Sequence, residues 1–478
     1  MFDKDLSTLD YQLNLLIEPF SKLVADVVFF KIQILEVELP VVILWLIFAG
    51  IFFTCKFNLV QFTKIRSGFK SIFSVKTNNN GDITQLQALF TAISGTVGIG
   101  NLGGVAIAIS IGGPGAVIWM IVGGFLGMAI KFVECSLAIV YRKNIDNRII
   151  GGPMVYLSQG LATKGWVKCG QYLGLLYAVV MIVACVGIGN MFQVNQAFAQ
   201  IVYATGDGAS WFADKGWFVG LILAVIVGFI LIGGIKSIVK ITDKIVPLMA
   251  CLYVMSALYV LVTNYQLLPK VLLLIWQSAF YSSAIKGGAV GVMTVGFQRA
   301  FFSNEAGVGS SAIVHSAAKT NSPVGQGFVG MIEPLIDTVV ICTLTALVII
   351  IACLKSPDVL NNLNGIKLTS LAFSMFFNHA DIVLSVIVVL FAFSTLIAWS
   401  YYGLQAWQFV FGSANYTRVV FYLLFCLCII IGCMVSLSSV VSLADSCLFA
   451  LCVPNVIGLY VLSDDVKKLL TTHARINH

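Results

Sequence analysis

Apolar runs of 18 residues or more recur along the whole chain, each long enough to cross a hydrocarbon core of ~30 Å as a helix. Backbone groups in lipid must be paired within their own segment or in a closed barrel, so runs of this length read as helices. Only 10% of the 478 residues are charged and 59% are hydrophobic. A soluble domain of this size carries about 25% charged residues. Most of the surface therefore faces lipid, and the expected fold is an all-α polytopic membrane protein.

The hydropathy pattern predicts eleven spans, at 41–60, 85–111, 114–141, 172–198, 216–235, 245–264, 287–315, 325–353, 380–402, 417–437 and 439–462. Before them, residues 1–40 read as an extracytoplasmic amphipathic segment with Leu13, Leu16, Phe20 and Leu23 on one helical stripe. This segment lacks a basic start before a short apolar core, so it is not expected to be a cleaved signal. After the transmembrane domain of 41–462, residues 463–478 form an expected cytoplasmic tail. With the N-terminus outside, 19 of the 28 Lys and Arg residues fall on the inner side, Arg299 among them, and 8 on the outer. The positive-inside bias thus predicts N-out, C-in insertion in a bacterial inner membrane.

The odd leading span leaves ten, which divide into two sets of five, about 85–264 and 287–462. Each set opens with a segment rich in Gly and small polar residues, and Gly95-Thr96-Val97-Gly98 is echoed by Gly288-Ala289-Val290-Gly291. Five spans per set is odd, so the second set is inverted relative to the first. Secondary carriers are built this way, with broken helices at matching positions forming a site near the midplane. The second break is expected near Gly288 to Gly296.

Within Ser94-Gly95-Thr96-Val97-Gly98-Ile99-Gly100-Asn101-Leu102-Gly103-Gly104 the glycines match G-x-G-x-x-G. A dinucleotide site needs a preceding strand and a parallel sheet, which an apolar membrane segment does not supply. The glycines instead weaken the helix and admit close backbone approach. An unwound turn frees N–H groups suited to a carboxylate and C=O groups suited to a cation. Close helix packing on small residues is the alternative. In the fourth span Asn190 and Gln193 share a face, seeking either a helix or a solute. In the ninth, Ser394 and Thr395 offer hydroxyl oxygens to an ion or bond their own backbone. Trp399, one turn on, can wall off the apolar side of a small solute.

Among charges inside spans, Lys131 and Glu134 are spaced i, i+3 and are expected to pair with each other. Glu305, Glu333, Asp337 and Asp445 are further intramembrane candidates, with Glu305 and Asp337 expected to close gates or hold helix ends. The net charge of +7 is spread over short loops, which speaks against nucleic-acid binding. The twelve cysteines lie mostly in apolar runs without paired loop spacing, and the four histidines are scattered, so neither disulfides nor a metal site is expected. No nucleophile–base constellation points to an enzyme. A carrier, a channel and a sensor remain as function classes.

The chain resembles the alanine or glycine:cation symporter family. The resemblance rests on Gly98-Ile99-Gly100-Asn101, Gly112-Gly113-Pro114-Gly115-Ala116 and Gly151-Gly152-Pro153-Met154. It rests further on Phe302-Ser303-Asn304-Glu305-Ala306-Gly307-Val308-Gly309-Ser310, Ile336-Asp337-Thr338 and Trp399-Ser400-Tyr401-Tyr402-Gly403. These motifs follow one another in order between about 40 and 460. The resemblance implies a 5+5 inverted-repeat, leucine-transporter-like core with two broken helices. It implies import of alanine or glycine by alternating access, coupled to Na⁺ and sometimes H⁺, with no organic cofactor. Carried over by the match, the Ile99 and Gly100 amides bind the solute carboxylate beside Gly98. The Ser94 and Val97 carbonyls with Ser394 and Thr395 hold one Na⁺, and Thr96 with Asn101 suits a second. Gln193 and Trp399 line the pocket, and Gly291 and Phe297 join the substrate side from the second glycine-rich segment. Gly95 stands where many relatives carry a bulkier residue, which implies a larger pocket or a looser turn.

Overall fold

The computed structural model describes residues 18–19, 22–34, 37–73, 81–145, 148–281, 288–356, 365–377, 380–435 and 437–476. Among them, seven helices are long and apolar enough to cross a membrane. The pair Gln85–Thr96 and Ile99–Gly112, bent by 57°, makes an eighth, and the shorter apolar helices Val41–Lys56 and Gly216–Ile232 add two more. The less apolar pair Gly288–Asn304 and Ser310–Ser316 fills the position of the seventh expected span. All eleven expected spans thus correspond to helical segments.

In chain order these are α1 (Val41–Lys56), α2 (Ile65–Ile72, a short linker helix), α3 (Gln85–Thr96), α4 (Gly103–Gly112) and α5 (Ala116–Val140). Then come α6 (Pro153–Thr163), α7 (Val167–Val186), α8 (Phe192–Ala204), α9 (Gly216–Ile232) and α10 (Gly234–Thr263). Next are α11 (Leu268–Phe280), α12 (Gly288–Asn304), α13 (Ser310–Ser316) and α14 (Pro323–Gly330). The chain closes with α15 (Thr343–Lys355), α16 (Ile366–Ser374), α17 (Ala380–Phe411), α18 (Asn415–Gly432) and α19 (Leu437–Ile476). Two π-helical turns, Gly187–Met191 and Leu335–Cys342, join α7 to α8 and lead into α15. Large apolar side chains such as Phe229, Ile232, Val262 and Leu423 remain exposed on the outside, as a lipid-facing surface requires.

Local chemistry sets the helix ends. Thr84 caps α3 in a reciprocal box, its hydroxyl accepting from Gln87 N at 3.2 Å while Gln87 Oε1 accepts from Thr84 N at 2.9 Å. Ser322 caps α14, whose first residue is Pro323. The two repeats interlock: α17 packs on α3, α7 and α8, while α5 packs on α12, α13 and α14.

At one end of the bundle the first and second broken helices are stitched together by backbone. Ile83 bridges Ala318, with Asp82 N donating to Ala317 O at 2.9 Å and Lys319 N to Ile83 O at 2.7 Å. Arg142 fastens the seam, donating to the carbonyls of Ser316 (3.0 Å), Ala318 (2.6 Å) and Thr320 (2.7 Å).

Several expectations change. The second break lies not near Gly288 to Gly296, where α12 is continuous, but at residues 305–309. Glu305 (φ 54°), Gly307 (φ 89°) and Gly309 (φ 79°) turn the chain there through left-handed backbone. The glycines of α12 serve packing instead: a Cβ at Gly296 would lie 2.6 Å from Ala116 O. Lys131 pairs with Glu333 at 3.1 Å rather than with Glu134. Arg299 sits within α12, paired with Asp445 inside the bundle, so it belongs to neither side's loop count. Lys31–Ile34 pairs antiparallel with Val37–Pro40 instead of forming helix, and Leu13, Leu16 and Phe20 lie outside the described residues. The last helix runs unbroken to Ile476, so the expected tail continues it. Cys251 is exposed rather than a core residue.

Candidate functional site

The first break begins where α3 stops at Thr96. Val97 and Gly98 are extended, Ile99–Asn101 form a 3₁₀ turn, and α4 follows. Asn101 holds the turn, its Oδ1 accepting from Gly98 N at 2.9 Å. Ile99 and Gly100 are the first two residues of the turn, where N–H groups have no acceptor within the turn itself. The Ile99 N–H leans on Gln193 Oε1 at 3.4 Å, and Gln193 is fixed in turn by donating to Ile188 O at 3.1 Å. Only glycine fits at 98: a Cβ there would lie 2.6 Å from Thr395 Oγ1 and 3.3 Å from Gln193 Oε1.

Against this break lies the middle of α17. Thr395 Oγ1 donates to Ser94 O at 3.0 Å, across 301 positions of sequence, and Ser94 Oγ donates to Ser394 O at 2.7 Å. Ser394 Oγ bonds its own helix, at Phe391 O, 2.9 Å. Both adjacent hydroxyls spend their protons on carbonyls, one across the break and one within α17, and keep their oxygen lone pairs. Trp399 is fully buried, and its Nε1–H points at Gly95 O (3.3 Å) and Glu305 Oε1 (3.2 Å). The root of the ring packs against Gly189 in the π-helical turn, where any side chain would collide with it. The space beside Gly95 is filled by Tyr402, whose hydroxyl would lie 2.9 Å from a Cβ. Glycine here makes room for Tyr402 rather than for a larger pocket.

A second polar centre forms on the far side of the turn. Asn101 Nδ2 donates to Asp337 Oδ1 at 2.6 Å and to Ser303 Oγ at 3.2 Å. Asp337 Oδ2 accepts from Ser303 Oγ at 2.8 Å and Thr338 Oγ1 at 2.7 Å. Thr96 does not join it through its hydroxyl, which donates back to Ala92 O at 3.3 Å. Phe302 packs beside the turn, 3.4 Å from where a Cβ on Gly100 would stand.

The structure brings together Ser94, Thr96, Val97, Gly98, Ile99, Gly100, Asn101, Gln193, Ser394, Thr395 and Trp399, from three helices far apart in sequence. It does not bring Gly291 or Phe297 to them. Gly291 lies in α12 well before the second break, and Phe297 packs on Trp119 with ring centroids 5.8 Å apart. Asn190 donates to Phe425 O at 2.8 Å, so it serves the helix bundle. Sequence reasoning did not place Ser303, Thr338 or Phe302 at the centre. Their signal was their closeness to the intramembrane acids Glu305 and Asp337, which only a functional or structural partner makes tolerable.

The second break is held by scaffold side chains. Glu134 Oε1 accepts from Gly307 N at 3.0 Å and from Asn455 Nδ2 at 2.8 Å, and Asn455 Nδ2 also reaches Gly307 O at 2.8 Å. Tyr177 donates to Val308 O at 2.9 Å, and Lys131 to Ser311 Oγ at 2.7 Å. The freed backbone groups of the turn thus find partners inside protein, as a midplane break requires.

The sequence model of the sodium:alanine symporter family matches residues 23–477. Over 428 residues the chain is 38% identical to the sodium/alanine symporter AgcS of Methanococcus maripaludis, covering 89% of this chain and 92% of that one. It is 33% identical over 436 residues to the amino-acid carrier protein AlsT of Bacillus subtilis, covering 90% and 88%. Among solved structures, MhsT in complex with L-phenylalanine superposes with a TM-score of 0.56 at 16% identity, over 80% of this chain and 89% of that one. That likeness bears on the fold alone: a leucine-transporter-like, inverted-repeat core with two broken helices.

Proposed function

Because this chain belongs to the sodium:alanine symporter family, and is therefore a multi-pass, cation-coupled amino-acid symporter and not an enzyme, we propose that it imports alanine or glycine with Na⁺ as the coupling ion. One observation carries the reading. The α3–α4 break, whose amides and carbonyls are released from regular helix pairing and held by side chains instead, meets the Ser394–Thr395–Trp399 face of α17. Na⁺ sits between the Ser94 and Val97 carbonyls and the Ser394 and Thr395 hydroxyls, a hard-oxygen set suited to it. The solute carboxylate docks on the Ile99 and Gly100 amides, with Gly98 letting the backbone come close. Gln193 and Trp399 line the side-chain end. A second cation is suited by the Thr96 carbonyl and Asn101, and we add Asp337 and Ser303, which bond Asn101 directly. Gly291 and Phe297 have no part in this site.

The broken helices and their seam then work as two arrangements of one bundle. Cation binding fixes the first break, the carboxylate completes it, and release of the Ile83–Ala318 seam opens the other side. With the N-terminus outside, that seam is cytoplasmic, in an inner membrane. Inward Na⁺ movement drives uptake because each charge crossing the field contributes ~2.3 kcal/mol per 100 mV.

The test is labelled alanine uptake into proteoliposomes under an inward Na⁺ gradient, with a matched K⁺ control and competition by glycine. Concentrative uptake with Na⁺ alone supports the proposal, and its absence from folded protein refutes it. A second reading, H⁺ coupling, is favoured by the buried carboxylates Glu134, Glu305, Glu333 and Asp337. An inward H⁺ gradient without Na⁺, in the same vesicles, separates the two.

A further inference from the structure

Glu305 is the unexpected residue of the second break. Its backbone is left-handed (φ 54°), a conformation that Gly307 and Gly309 adopt cheaply in the same turn. For a residue with a long side chain this conformation costs about 1 kcal/mol or more. The carboxylate is also almost fully buried, which is expensive inside a membrane domain. A position that carries both costs is one where the side chain itself is needed.

Its two oxygens are spoken for by different helices. Oε2 accepts from Ser310 Oγ, at the start of α13, which fixes the carboxylate plane. Oε1 accepts from Trp399 Nε1 at 3.2 Å, and the same N–H is shared with Gly95 O at 3.3 Å. Gly95 belongs to the last turn of α3, between Ser94, which receives Thr395, and the break. One indole N–H therefore answers to both broken helices at once. Gly189 packs against the root of the ring, and Tyr402 stands at 5.7 Å, edge-on.

We propose that Glu305 is a positioning residue: by sharing the Trp399 indole N–H with the Gly95 carbonyl, it sets the ring as the wall of the amino-acid site and links the closure of the two breaks. The inference rests on the reading of Trp399 as that wall. Glu305 Oε1 stands at least as close to the indole nitrogen as Gly95 O does, and it alone ties the ring to the second break. Movement of α13 away from α3 is thereby transmitted to the ring, and the wall is complete only when both breaks are closed.

The experiment is a double-mutant cycle. Alanine K0.5 is measured at saturating Na⁺ for wild type, E305Q, E305M, W399F and the double variants with W399F. E305Q keeps an acceptor oxygen and is expected within about threefold of wild type. E305M keeps length without an acceptor and is expected to raise K0.5 about tenfold, the upper scale of one intramolecular hydrogen bond. In the W399F background the two Glu305 variants are expected to differ by less than twofold. An equal effect of E305M in both backgrounds overturns the proposal. If W399F leaves K0.5 unchanged, the wall reading fails instead, and the link itself is decided without transport. In protein labelled with 5-fluorotryptophan, the ¹⁹F resonance missing from W399F is that of Trp399, one of eight. E305Q is expected to shift that resonance and leave the others. A stationary resonance overturns the proposal whether or not E305M folds.

Discussion

Replacing Thr395 by Val is the sharpest probe of the ion site, because it removes one oxygen and keeps the shape. The hydroxyl is buried and donates to Ser94 O at 3.0 Å. If that bond only joins α17 to α3, its loss costs about 0.5–1.5 kcal/mol of stability, plus the burial of an unpaired Ser94 carbonyl at about 1–3 kcal/mol. Neither term depends on Na⁺. If the oxygen is a cation ligand, an interaction with a full charge is lost, about 1.5–3 kcal/mol, or a ten- to hundredfold rise in Na⁺ K0.5. Because ion and solute binding are linked, each must be titrated with the other saturating. The expected result in proteoliposomes is a Na⁺ K0.5 raised at least tenfold, with alanine K0.5 at saturating Na⁺ changed less than threefold. Thr395→Ser, which restores the oxygen, is expected to recover Na⁺ dependence. A lower melting temperature with unchanged Na⁺ K0.5, or equal losses for ion and alanine, would refute the ligand assignment.

Other substitutions test the frame around the site. Gly98→Ala places a methyl against Thr395 and Gln193, and overpacking of about 1–3 kcal/mol should abolish concentrative uptake; variants retaining more than half the wild-type rate would contradict this. Lys131→Met strands Glu333 in the interior and should lower stability by about 3–5 kcal/mol, read as a melting shift in detergent, with K131M/E333Q partly restored. Arg142→Ala removes three carbonyl contacts from the seam, so amide exchange at Asp82 and Lys319 should quicken by tenfold or more in mass-spectrometric measurements. Asn101→Ala uncaps Gly98 N and separates the turn from Asp337, so cation-dependent thermal stabilisation should be reduced on titrating Na⁺ into the purified protein.

The spans were legible because each is a hydropathy signal complete in itself. The first break was legible for a related reason: Gly98, Gly100 and Asn101 are neighbours in sequence as well as in space. The second was misplaced because glycine carries two meanings. In α12, Gly296 is small so that α5 can approach, while the turn at 305–309 uses a glutamate in left-handed backbone that no glycine count reveals. Long-range pairing was equally hidden. Lys131 has Glu134 one turn away, yet its partner is Glu333, 202 positions on, because side-chain direction and the approach of the Ile332–Pro334 turn decide the contact. The sequence puts Phe297 on the substrate side; a helix has several faces, and this residue packs on Trp119.

The π-helical turn at Gly187–Met191 makes the number of residues in this helix as consequential as their identity. Such a turn holds one residue more than an α-turn. Deleting a single residue there would close the wide turn to an α-turn and leave the two ends of the helix facing as before, whereas deleting one residue from α7 would swing everything beyond it by about 100° relative to everything before it. In the second case Gln193 would leave Ile99, and the bare face that Gly189 offers to Trp399 would turn elsewhere. Single-residue deletions should therefore be better tolerated within this turn than in α7 before it, although no ordinary measure of helix propensity would register the difference.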